Sequence, residues 1–239
     1  MAKYSDIKGF TVQTLSSDTA ASAISAGSWA SGGALNTARG QGGGAGVSQT
    51  ATVVFGGQEP TASAKTESYN GSAWTELNDL NTARTQATKG QGGIYTSAIY
   101  GMGPGATTVE SWDGSSWTEV SEFNTARYNH GGASAGTPSA SLYVGGQIPP
   151  NAPGNQVESW NGSSWSELSE ISYNIRGASG FGTYTEAVIA GGLNPSPASV
   201  ATVQYWDGSS WTEIADISAT RYGMMSGGTA TAGLVAGGQ

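Results

Sequence analysis

Five arginines carry the clearest chemical signal in this chain. Arg39, Arg84, Arg127, Arg176 and Arg221 are its whole arginine content, and each closes an Asn-Thr-Ala-Arg segment or a relative of one. A guanidinium fork grips carboxylates bidentately. At equivalent positions of a repeat, five forks would either converge on an anion, such as a carboxylated glycan, or each tie down its own unit. A tie would run to backbone carbonyls or a nearby carboxylate. The tie is the stronger reading, because a residue repeated in every unit serves the unit and a site normally breaks symmetry. Carboxylates recur in step: Glu76, Glu119, Glu167 and Glu213 each follow a tryptophan by two residues, with Asp79, Glu122, Glu170 and Asp216 beyond them.

Other chemistry is sparse. With no cysteine there is no thiol nucleophile, thiolate site or disulfide. His130 is the only histidine, so a multi-histidine metal centre is excluded and a His-based triad could occur once at most. No loop has the oxygen density of a dedicated Ca²⁺ site. The expectation is no catalytic residue, no metal and no cofactor. Nine basic residues against seventeen acidic ones give a formal charge of −8. That leaves no basic stripe for nucleic acid. No apolar run reaches the roughly 18 residues of a membrane span. The opening Met1-Ala2-Lys3-Tyr4-Ser5-Asp6 lacks a signal-peptide apolar core, so a chain not carried on a particle is expected in the cytoplasm.

The elements that must position these residues form a repeat. Tyr-Asn-Gly-Ser-Ala-Trp74 aligns with Trp-Asp-Gly-Ser-Ser-Trp117, Trp-Asn-Gly-Ser-Ser-Trp165 and Trp-Asp-Gly-Ser-Ser-Trp211, and a degenerate unit ends at Trp29. The intervals are 45, 43, 48 and 46 residues. Apolar runs ending in glycine recur in phase, at Val53–Gly57, Ala98–Gly101, Leu142–Gly146, Val188–Gly192 and Leu234–Gly238. Each unit holds four short strand signals, the content of a propeller blade. The first strand, rich in glycine, is expected innermost, where large side chains would not fit. Asn-Gly and Asp-Gly join the third and fourth strands, in a loop of either two or four residues. Aromatics on those two strands could stack on sugars, but a tryptophan repeated once per blade more often belongs to the inter-blade core.

The expected fold is therefore all-β, a five-bladed propeller with four antiparallel strands per blade, in one domain over 1–239. Residues 1–9 form a short lead, 36–80, 81–123, 124–171 and 172–217 form four blades, and 10–35 with 218–239 close the fifth from both termini. Loops between second and third strands are unequal and proline-bearing, and recognition sits on such loops of a rigid scaffold. They place Gln58, Pro60, Gln147, Pro149, Asn194 and Pro195 beside the five arginines as candidate binding residues.

The Gly-Gly, Tyr/Trp and Trp landmarks, in that order, resemble kelch repeats over about residues 20–239. The segment Tyr69–Arg84 and the opening Lys3–Gly9 are similar to kelch-like virion proteins of marine bacteriophages. The resemblance implies a virion or tail-fibre-like component that meets a host-surface glycan or other virion proteins, with its oligomeric state open. A copper site of the galactose-oxidase type is excluded for want of cysteine and histidines. A sialidase-like glycan-processing enzyme and a protein-interaction adaptor are the alternatives. Ser111–Trp117 is superficially similar to the sialidase Asp box but lacks the residue between Asp and Gly.

Overall fold

The computed structural model describes residues 32–86, 93–133 and 139–239. They build an all-β propeller of antiparallel sheets without helices. The first blade is β1 (Gly43–Ser48), β2 (Ala51–Phe55), β5 (Thr66–Tyr69) and β6 (Trp74–Glu76), with a small ribbon, β3 (Gln58–Glu59) and β4 (Thr61–Ala62), at its rim. The second is β7 (Gly93–Ile94), β8 (Ser97–Gly103), β9 (Ala106–Trp112) and β10 (Trp117–Val120). The third is β11 (Gly131–Ala133), β12 (Ser141–Ile148), β13 (Ala152–Trp160) and β14 (Trp165–Leu168). The fourth is β15 (Ser179–Gly182), β16 (Ala187–Ala190), β17 (Val203–Trp206) and β18 (Trp211–Ile214).

The described residues thus form four complete blades, not the five expected. The fifth repeat contributes only the hairpin β19 (Met225–Thr229) and β20 (Ala232–Ala236). The expected third and fourth strands fall on residues 10–35, of which 10–31 lie outside the described residues and 32–35 form no strand. Leu234 and Met225 of the hairpin are 69% and 74% exposed.

The glycine-rich first strands are innermost, β1 against β7, β11 against β15 and β15 against β19. At Gly180 a Cβ would lie 2.6 Å from the Gly132 carbonyl oxygen of the neighbouring blade, so only glycine fits. The core is a series of seams between blades. Phe55, Tyr100 and Trp117 fill the first, Val109, Tyr143 and Trp165 the second, Val144, Ile175 and Trp206 the third, and Val188, Val203 and Met224 the last. Third and fourth strands are joined by four-residue loops, which sets Trp112 opposite Trp117, with equivalent pairs in the other three blades. Each paired set of rings lies 4.9–5.3 Å apart. Trp117, Trp165 and Trp211 also reach back to the preceding unit, donating indole N–H bonds to Thr66 Oγ1, Ser121 O and Ser169 O.

A buried carboxylate organises the turn that enters each blade. In the first blade, Glu67 accepts from the Asn36 N–H at 2.7 Å and pairs with Arg39. In the second, Glu110 Oε2 accepts from the Asn81 N–H and Nδ2 at 2.7 and 2.9 Å, while Oε1 lies 2.5 Å from Arg84 Nη2. In the third, Glu158 accepts from both Asn124 nitrogens at 3.0 Å, and Arg127 lies 3.0 Å away. The carboxylate side chains are 1% exposed and the arginines 0–4%. The partners are third-strand glutamates, while Glu76, Glu119, Glu167 and Glu213 are exposed on the outer strand. Burial pushes the Glu67 carboxyl up, but Arg39 and the Asn36 N–H more than offset it, leaving Glu67 below its ordinary value.

The fourth blade departs from this scheme. The second glycine of each Gly-Gly pair donates its N–H to the next repeat's turn, Gly57 to the Arg84 carbonyl and Gly192 to that of Arg221, at 2.9 and 2.7 Å. Gly146 donates instead to Ile175, at 2.8 Å. Ile175, fully buried, therefore occupies the arginine position, and Arg176 is displaced by one. The glutamate is replaced as well, by Gln204, which bonds Ser172 in the place of asparagine.

Three outcomes follow from this packing. Gly180→Ala should cost about 1–3 kcal/mol through overpacking, whereas Gly227→Ala, with nothing among the described residues within 4 Å of its added Cβ, should shift stability by no more than ~1 kcal/mol; urea unfolding of both variants checks the contrast. Arg127→Ile or Glu158→Gln alone strands a buried charge and should cost about 3–5 kcal/mol. The double variant, which installs the fourth blade's pairing, should cost less than either single change, and strictly additive losses in a double-mutant cycle would refute the exchange. Because the folded Glu67 value is depressed, its contribution is present above 4.5, its ordinary value, and is lost as pH falls below it. The urea midpoint of Glu67→Gln should accordingly depend less on pH in that range than that of the parent.

Candidate functional site

The face onto which the arginine turns open is built by a regular backbone device. The residue after each arginine-equivalent position is Gly40, Thr85, Tyr128, Arg176 or Tyr222. The next residue is left-handed in every repeat: Gln41, Gln86, Asn129, Gly177 and Gly223 have φ of 58°, 52°, 52°, 64° and 67°. Such a conformation costs a non-glycine residue on the order of 1 kcal/mol, so it must be held by its surroundings. Hydrogen bonds between blades hold it. Asn129 donates to the Gln86 carbonyl at 3.2 Å, Gly177 to that of Asn129 at 2.6 Å, and Gly223 to that of Gly177 at 2.8 Å.

The loops after the second strands lie on this same face. Gly40 pairs with Gln58, Tyr128 with Gln147, Arg176 with Leu193 and Tyr222 with Gln239 through reciprocal backbone bonds of 2.6–3.2 Å. Their forms differ from the expected free loops in two blades. In the third, the strands continue past a bulge at Val144/Gly146, so Gly146–Ile148 pair with Ala152–Gly154, and Pro149 and Pro150 sit at an exposed hairpin tip. In the second, Gly103 pairs with Ala106 across a two-residue turn.

The candidate binding residues separate accordingly. Arg39, Arg84 and Arg127 are consumed inside the wall by carboxylates. Arg221 is exposed and donates to the Gly237 carbonyl at 3.1 Å. Gln58 and Pro60 are exposed on the first blade, where Gln58 Nε2 bonds the Pro60 carbonyl at 3.2 Å. Asn194 braces its own loop, its Oδ1 accepting from Ser196 and Ala198 N–H at 3.0 and 3.1 Å, with Pro195 exposed beside it.

Arg176 and Gln147 are brought together from neighbouring blades by a side-chain contact. Arg176 Nη1 donates to Gln147 Oε1 at 2.7 Å, Gln147 Nε2 donates to Asn151 Oδ1 at 2.8 Å, and the Tyr128 hydroxyl donates to the same oxygen at 3.4 Å. Among the described residues Arg176 has no carboxylate partner. Sequence reasoning missed Tyr128, Asn151 and Tyr222 and treated Arg176 as one more member of the ring. A signal was present. Each other arginine follows its tryptophan by 10 residues, but Arg176 follows Trp165 by 11.

The remaining titratable landmarks are structural. His130 is fully buried between Phe123 and Tyr143, and burial together with Arg127 lowers its pKa to about 3, so it stays neutral. Asp113 and Asp207 are exposed, and Ser-Ser N–H and hydroxyl donors in their own loops hold them down at about 2. Asn70 and Asn161 accept the same loop bonds without charge. Among the described residues no group of three or more His, Asp or Glu side chains is placed to hold a metal.

No protein-family model matches the chain, and no curated protein matches it. Among solved structures, that of YjhT, a propeller, superposes with a TM-score of 0.70 over 84% of this chain and 77% of its own. At 13% identity the likeness is one of fold.

Proposed function

We propose that this chain is a non-enzymatic binding propeller carried on a phage particle, as a structural or tail-fibre-like component contacting a host-surface glycan or other virion proteins. One observation carries the binding part of this reading. Residues that repeat faithfully, the Arg–Glu pairs and tryptophans, are spent inside the wall, while residues that differ between blades lie on one polar face. The phage part rests on the likeness of Tyr69–Arg84 and Lys3–Gly9 to virion proteins. The same reading takes the repeat as kelch type and completes a fifth blade with residues 10–35. Among the described residues nothing pairs with the outer edge of β20, and Leu234 on it is exposed; an open apolar edge is a liability that folds normally cover, which supports that completion.

Mass spectrometry and cryo-EM of purified particles should find the chain in the virion, and a glycan array should return bound sugars without turnover. Absence from particles would sink the virion assignment. Hydrolysis of an arrayed glycoside would replace the binding reading with the sialidase-like one.

A further inference from the structure

The five positions that follow the buried-pair position are occupied unequally. Gly40 and Thr85 are small, whereas Tyr128, Arg176 and Tyr222 stand on three successive repeats linked by the bonds from Gly177 to Asn129 and from Gly223 to Gly177. The result is a tyrosine–arginine–tyrosine arc on one side of the face. Tyr222 packs over the turn beside Arg176, where a Cβ added at Gly177 would lie 3.7 Å from its Cδ2. Tyr128 is tied to Arg176 through Asn151 and Gln147, as described above. The guanidinium is part-buried and held in place by Gln147; among the described residues its Nη2 makes no hydrogen bond and its Nε is buried without a partner. The arginines at Arg39, Arg84 and Arg127 all have carboxylates. The one-residue displacement moves this cation from the wall to the open face, where no carboxylate among the described residues neutralises it.

Resting on the glycan-binding reading, we propose that this arc is a subsite for an acidic pyranose, a sugar ring bearing a carboxylate. The carboxylate is received by the Arg176 fork, a sugar face lies against Tyr128 or Tyr222, and Asn151 takes a hydroxyl. An arginine already fixed by Gln147 loses little freedom on binding, and a charge-assisted bond is about twice as strong as a neutral one. An acidic peptide would satisfy Arg176 but has no flat apolar face for the flanking tyrosines, so the sugar is the better match.

The test titrates the full chain with glucuronic acid and with glucose, which differ only in carboxylate against hydroxymethyl, by saturation-transfer NMR and calorimetry. Glucuronic acid should bind on the order of 10- to 100-fold more tightly, the range of one charge-assisted bond. The preference should shrink as salt is raised. Arg176→Gln should abolish it, Arg176→Lys should retain part of it, and Lys65→Gln, removing an equal charge outside the arc, should leave it intact. Should Arg176→Gln fail to fold, Asn151→Ala serves instead, and weaker binding of both sugars is then expected. Equal binding of the two sugars, or an acid preference that survives Arg176→Gln, would overturn the subsite while leaving glycan recognition elsewhere on the face standing. Binding of neither sugar, or equal competition by an oligo-aspartate peptide, would overturn the subsite too. A glycan array without hits then separates failure of the wider reading from failure of this arc.

Discussion

Each of the first three blades is folded around a carboxylate it cannot afford to leave alone. Removing Glu67, Glu110 or Glu158 from water costs several kcal/mol, and attraction to one arginine offsets that only when the remaining lone pairs are also satisfied. The entering turn supplies the rest. Asparagine three residues before the arginine brings its backbone N–H to the carboxylate, and in Asn81 and Asn124 its side chain as well. Asn-Thr-Ala-Arg is thus one ligand set, with the threonine contributing as well, since the Thr82 N–H donates to Glu110 Oε1 at 3.2 Å. Once the turn is clamped, the position of the next residue on the open face is fixed, and with it everything the face can present.

The fourth blade shows why the set changes as a whole. Glu67, Glu110 and Glu158 stand directly opposite Glu76, Glu119 and Glu167 on the outer strand. Like charges so placed repel unless a cation intervenes. Arg127, for one, feels both Glu158 and Glu167. With Ile175 in the arginine position, a glutamate at 204 would face Glu213 unscreened. Gln204 keeps the hydrogen bonding to the turn and drops the charge. Isoleucine then joins the apolar seam with Leu142, Val144 and Trp206.

How much of this was legible in the sequence depends on the length scale. The period, the four strands per unit, the glycine-rich inner strand and the crowding of tryptophans into blade contacts are properties of spacing and size, which survive without coordinates. Register is not. The Asp-Gly and Asn-Gly turns fit loops of two or four residues, and only the Trp112–Trp117 pairing decides for four. The choice of glutamate was misread for a related reason. Glu76 and Glu67 lie on the same side of adjacent strands, but the outer strand faces water and the third strand faces the seam. Alternation gives a residue's side, whereas burial depends on how many strands lie outside it. The long ladder at Gln147 was likewise hidden, because prolines and glycines that read as a loop form a bulge and a hairpin tip.

A single extra residue between Trp165 and Arg176 illustrates how a repeat acquires a site. In a strand, a one-residue slip turns every side chain to the opposite face. Here the slip falls in a turn, where it exchanges a wall position for a face position. The backbone bonds from Gly146 to Ile175 and between Arg176 and Leu193 are kept, so the strands on either side need not move. The left-handed residue that follows is glycine at 177 and 223 and is Gln or Asn in the first three repeats. Gly177 lies beside Tyr222, a Cβ there being 3.7 Å from its Cδ2, and its φ of 64° suits glycine. The wall absorbs the change through Ile175 and Gln204, and the face gains a cation bonded to Gln147 that has no carboxylate partner among the described residues. Symmetry is broken where a ligand could use it, and the strands on either side keep their backbone pairing.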